Sequence, residues 1–146
     1  YEIGSGLVGS EMCIRDRVLV CTDGSELSAK AVDAAIGIAE PLQAELIGMT
    51  AVKGAEPADG LAGESVDVQK RLSDIYEAAK AAGVACRVTA VHGDAPWQCI
   101  IQIAKDENVD YVVMASRGMG SIGSLFIGSE TQKTLAQIDR PVLVVR

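Results

Sequence analysis

Arg17 to Leu42 reads RVLVCTDGSELSAKAVDAAIGIAEPL, and the change of period inside this stretch decides the fold. Val18–Thr22 is a continuous apolar run, the pattern of a strand covered on both faces. Asp23-Gly24-Ser25 then turns the chain into a helix, with Ser25 placed to cap the first turn and Glu26 at the positive end of the helix dipole. Ala31, Ala35, Ile38 and Leu42 recur at i, i+4, i+7 and i+11 and predict the buried face, with Pro41 near the helix end.

The alternation continues to Arg146. Glu45–Val52 reads as a second strand, and Lys53–Ser65 as a Gly/Pro/Ala-rich loop. Val68, Leu72, Ile75 and Ala79 mark a second amphipathic helix that Gly83 stops. Cys86–Val91 is a third strand, after which Asp94 is expected to cap a third helix with Pro96 in its first turn and Ile100, Ile101 and Ala104 inward. Asp110–Ala115 is a fourth strand, and Ser116–Ile127 a glycine-rich loop. A fourth helix opens on a capping box, Ser129-x-x-Gln132, with Thr131, Leu135 and Ile138 as its stripe. Pro141 precedes the last strand, Val142–Val145.

Five strands alternating with four helices predict an α/β fold: an open, doubly wound parallel sheet with helices on both faces. One domain is expected over residues 17–146. Residues 1–16, YEIGSGLVGSEMCIRD, lack either period and are expected to be a non-native or disordered extension; GSEMCIRDR has the look of a translated library adapter.

A chain of 146 residues with 49% hydrophobic and 23% charged residues is ordinary for one globular domain. Five aromatic residues leave the core to Ala, Val, Ile and Leu. The net charge of −7 argues against nucleic acid or an anionic membrane as partner. It also implies that any bound phosphate is held by backbone dipoles, with Mg²⁺ as an available counter-ion, and not by a basic field. Cys13, Cys21, Cys86 and Cys99 form no CxxC pair, and His92 is the sole histidine. Reduced thiols in a cytoplasmic protein are expected, with no metal site. No apolar run reaches the length of a membrane span, and Ile3–Val8 lacks the flanks of a signal peptide.

In open α/β sheets ligands sit beyond the carboxyl ends of the strands. Two such ends have unusual content here: Thr22-Asp23-Gly24-Ser25, and the run SRGMGSIGSLFIGSE from Ser116. Glycines at 118, 120, 123 and 128 permit positive φ and let amides approach a phosphate. Gly128-Ser129 then opens a helix whose dipole suits an anion. A plain surface loop is the alternative. Gly118-x-Gly120-x-x-Gly123 matches the dinucleotide fingerprint, but its helix waits until Ser129 and no acidic residue ends the following strand. Gly123-x₄-Gly128 is followed by Ser129-Glu130 where a P-loop needs lysine.

VLVCTDGSELS, VVMASRGMG, GSETQKTL and RPVLVVR together resemble the universal stress protein family, over Arg17–Arg146. ATP-binding members carry G-x₂-G-x₉-G-[ST]; Gly118, Gly128 and Ser129 match it, and Ala115 stands at the first glycine. The resemblance implies an adenine nucleotide alpha hydrolase-like sheet of order 3-2-1-4-5, which brings the two loops together. It implies Thr22 and Asp23 beside the adenosine, Ala51 and Met114 near the base, and Gly118, Gly128, Ser129 and Glu130 around the phosphates. Ala115 adds a methyl beside them, and Arg117 and Lys133 are the nearby cations. The ligand implied is ATP, ADP or AMP, and the assembly a homodimer through the last strand.

The function expected is nucleotide binding in stress regulation, with slow ATP hydrolysis at most. The alternative is a dimer that binds no nucleotide and acts through protein contacts. A flavodoxin-like carrier is disfavoured by the scarcity of aromatics. No nucleophile elbow exists; His92, at the end of the third strand, reads as a loop histidine, Asp94 as a cap, and Trp97 as a helix-surface or packing residue.

Overall fold

The computed structural model describes residues 15–118 and 127–146. Apart from Arg15 and Asp16, the expected extension over residues 1–16 lies outside the described residues, as do Gly120 and Gly123 of the glycine-rich loop. Among the described residues, five strands form one sheet: β1 (Arg17–Cys21), β2 (Glu45–Lys53), β3 (Cys86–Gly93), β4 (Tyr111–Ala115) and β5 (Val142–Val145). Four helices connect them: α1 (Glu26–Leu42), α2 (Val66–Ala81), α3 (Pro96–Asp106) and α4 (Ser129–Gln137). A 3₁₀ turn, Gly60–Gly63, interrupts the loop before α2.

The sheet order is β3-β2-β1-β4-β5 and every pairing is parallel. This is the order that the family resemblance implies. Side chains alternate across β1, so Val18 and Val20 join one buried cluster and Leu19 the other. The first cluster packs beneath α1 and α2, through Ala31, Ala35, Ile75 and Ala79. The second packs beneath α3, through Cys99, Ile100 and Ile103. Gly48 lets α2 approach closely: a Cβ built there would stand 2.7 Å from Cγ2 of Ile75. Among the described residues, no helix is long and apolar enough to cross a membrane.

Three helices differ in detail from their expected faces. The buried side of α1 is Ser28, Ala31, Val32, Ala35, Ile36 and Ala39, while Leu42 is 47% exposed. Ile38 is half-buried, because small Ala39 and branched Val32 and Ile36 fit the sheet more closely. The N-cap of α3 is Ala95, so Asp94 is not the cap; Cys99 and Ile103 face inward with Ile100 and Ala104, and Ile101 is half-buried. The N-cap of α4 is Gly128, and the capping box does not form. Gln132 instead donates to the Ile127 carbonyl at 2.7 Å. The inward residues of α4 are Thr131 and Thr134, whose hydroxyls donate to the Ala115 and Glu130 carbonyls, while Leu135 is exposed. Buried threonines whose hydroxyls are satisfied by main-chain oxygens need no apolar stripe.

Candidate functional site

Because β1 and β4 are neighbours, the turn after β1 and the loop after β4 meet at one end of the sheet. The turn is built by short side chains bonding to nearby amides. Thr22 Oγ1 accepts from the Gly24 amide at 3.1 Å, and Asp23 Oδ1 from the Ser25 amide at 2.9 Å. Ser25 Oγ accepts from the Ser28 amide at 3.2 Å, capping α1. Gly24 sits at φ +86°, in the left-handed region that favours glycine.

Across the crevice, Ser116 continues β4 by donating to the Val145 carbonyl, and its own carbonyl accepts from the Gly128 amide, both at 2.7 Å. The Gly128 amide is therefore engaged within the protein. The anion-binding potential of this helix start rests on the first-turn amides of α4, which have no intrahelical acceptor. The side chain of Ser129 makes no cap, since Gly128 occupies that position.

Between these two walls lies a cavity of about 320 Å³, within the range of small-molecule sites. Thr22, Asp23, Ala51, Met114, Ala115, Arg117, Gly118, Gly128, Ser129 and Glu130 all line it. Met49, Met114, Ala51 and Ile100 give it apolar lining, and Asp23, Glu130 and Arg117 are the charged residues among the described lining. Lys133 is exposed and not part of the lining. Gly118 is not at positive φ; its lack of a side chain matters because the Asp23 carboxylate lies against it. Ala115 shares a strand face with Val113 and belongs to the buried cluster under α1, opposite to Met114. Its methyl is thereby part of the core.

Sequence reasoning missed Cys21, Ser28, Met49, Pro96, Ile100 and Thr131, which also line the cavity. Met49 was findable once strand order was known, because it pairs with Cys21 across β1 and β2. Burial pushes the Cys21 thiol up to about 12, so it remains neutral and un-nucleophilic near neutral pH. His92 lies near the end of the third strand and not in the loop beyond it. It lies in β3, outside the cavity lining, with Nε2 2.7 Å from Oε1 of Glu64, and both side chains are at most a tenth exposed.

The universal stress protein family model matches residues 15–146. A universal stress protein from Thermus aquaticus, encoded beside a QAH/OAS sulfhydrylase, is 35% identical over 88% of this chain and 97% of its own length. The universal stress protein YxiE of Bacillus subtilis is 32% identical over 90% and 99% respectively. A solved universal stress protein in complex with cAMP superposes with a TM-score of 0.72 at 28% identity, over 90% of this chain and 97% of that one. The chain belongs to the universal stress protein family.

Proposed function

We propose that the protein binds ATP or a related adenine nucleotide in the cavity between the β1 turn and the start of α4, and acts in stress regulation as a cytoplasmic binding protein. The observation that carries this reading is the convergence of two sequence-distant loops on one cavity with an apolar floor and a helix N-terminus. Adenine takes the apolar part, against Met114 and the end of β2 at Ala51. The phosphates take the first-turn amides of α4 and the loop at Gly118. A relative 28% identical is solved with cAMP, a ligand of the same chemical class. Asp23 and Glu130 outnumber Arg117 in the lining, so a polyphosphate would enter with Mg²⁺ offsetting its charge. His92 lies outside this lining, and ATP hydrolysis that is slow at most is part of the proposal.

The second reading, a dimer acting through protein contacts alone, draws on the same two carboxylates, which oppose an unaccompanied anion. Dimerisation itself is proposed in both readings. β5 is an edge strand, Leu143 on it is 45% exposed, and two-fold antiparallel pairing would cover it.

The test is the small molecule that accompanies the protein through purification. Released by denaturation and identified by mass, it is expected to be an adenine nucleotide. A ligand of another class at stoichiometric level would overturn the proposal.

A further inference from the structure

Behind the Thr22–Ser25 turn, a smaller cavity of about 180 Å³ lies between α1 and α2, and Thr22 lines both cavities. Arg71, in the second turn of α2, reaches into this space. Its Nη2 is 2.5 Å from Oδ2 of Asp67, one turn earlier. An i,i+4 pair of this kind ordinarily lies on a solvated face and contributes little. Here the two partners differ: the Asp67 side chain is 69% exposed, the Arg71 side chain only 21%. The arginine has been drawn inward.

What it meets there is the turn. Nη1 of Arg71 donates to Thr50 Oγ1 at 3.4 Å, and Thr50 Oγ1 donates to the Thr22 carbonyl at 2.8 Å. Nε of Arg71 is buried, without a hydrogen bond, against Gly24; a Cβ built on Gly24 would stand 2.9 Å from it. The glycine is favoured by its φ of +86°, and the guanidinium packs close behind it. Asp23, between Thr22 and Gly24, has one carboxylate oxygen on the Ser25 amide and faces the larger cavity.

We infer that Arg71 is a positioning residue: it braces the Thr22–Ser25 turn from behind and so sets the aim of Asp23 into the ligand cavity. The ligand part of this inference rests on the proposed nucleotide binding. The brace rests on the geometry alone.

A double-mutant cycle separates an effect through Asp23 from a general loss of stability. ATP with Mg²⁺ is titrated by calorimetry into the full chain carrying Arg71→Met or Arg71→Lys, each alone and together with Asp23→Ala. Arg71→Met is expected to weaken binding about tenfold, the size of a coupling between residues sharing one network. Arg71→Lys keeps stem and charge but not the fork that reaches Thr50 and Asp67 together, and should recover only part of the affinity. On the Asp23→Ala background, Arg71→Met should change affinity by less than about twofold. Equal factors on both backgrounds overturn the inference.

Amide hydrogen exchange without ligand tests the brace independently. In Arg71→Met the Gly24 and Ser25 amides should exchange about tenfold faster, while the Ile75 amide of α2 keeps its rate. Unchanged exchange at both turn amides overturns the brace. Faster exchange in a chain whose wild type binds no nucleotide supports the brace and overturns only the nucleotide reading. Should Arg71→Met not fold, Thr50→Val removes the middle link and carries the same expectations.

Discussion

The carboxylate of Asp23 lies against the Cα of Gly118, so closely that a Cβ on the glycine would overlap Oδ2. Asp23 follows β1 and Gly118 follows β4, and the contact between them bridges the two walls of the cavity. A glycine expected for its freedom of φ stands where another side chain occupies the space of a Cβ.

Gly118→Val is expected to separate these walls. The branched side chain meets the Asp23 carboxylate, and relief by small shifts costs about 1–3 kcal/mol, as for other overpacked sites. Nucleotide affinity should fall by at least about tenfold, the equivalent of 1.4 kcal/mol. Thermal shift in the presence of ATP and Mg²⁺ reads both effects. Unchanged ligand stabilisation would show that the walls need not approach this closely.

Gly48 marks a similar close approach in the core. Gly48→Val places atoms where Cγ2 of Ile75 now lies, and should destabilise by about 1–3 kcal/mol through overpacking. Urea unfolding should show a lower midpoint with an unchanged slope. Adding Ile75→Val should recover part of the loss. A Gly48→Val protein of wild-type midpoint would refute the packing argument.

Much of this architecture was legible in the chain, and the exceptions have a common cause. The apolar runs of β1 and β4 and the stripe Val68, Leu72, Ile75, Ala79 are what their burial requires. The faces of α1 and α4 were legible only in part: Ala31, Ala35 and Thr131 are buried as expected, but Ser28, Ala39 and Thr134 are buried too, with hydroxyls bonded locally or with no bulk to place. Periodicity of large apolar residues is blind to such contacts. In the cavity, the expected residues are those of the loops after β1 and β4, the end of β2 and the start of α4, while Met49 lies within β2 and Pro96 and Ile100 reach it from α3. His92 lies at the end of the third strand, but its contact with Glu64 comes from a loop that carries no periodic signal.

The cysteines give the protein an alkaline limit. Burial raises the Cys21 thiol from 9.0 to about 12, so the folded state holds its proton more tightly than the unfolded state. That contribution is complete below about pH 9 and is lost as pH rises from 9 toward 12. Stability of the wild type should decline across that window, and Cys21→Ala should show a shallower decline. Denaturant midpoints measured from pH 8 to 11 decide it; parallel curves would contradict the assignment.

Leu143→Lys tests the assembly. The side chain is exposed on the edge strand β5, and a charge there opposes pairing of two copies. Light scattering at micromolar concentration should give a dimer mass for the wild type and a monomer mass for the variant. A monomeric wild type, or a variant of unchanged mass, would remove β5 as the interface.

Calorimetric titration of ATP, with Mg²⁺, into protein freed of any co-purified ligand tests the central claim most directly. A helix N-terminus contributes about 0.3–1 kcal/mol to a nearby anion, and about 2 when partly buried. Amide hydrogen bonds and the apolar lining at Met49 and Met114 must therefore supply the rest. One saturable site per chain is expected, with micromolar affinity, about −8 kcal/mol, as the upper bound. Absence of saturable binding to ATP, ADP and AMP at millimolar concentration, in a chain that remains folded, would contradict the account and leave the protein-contact reading in its place.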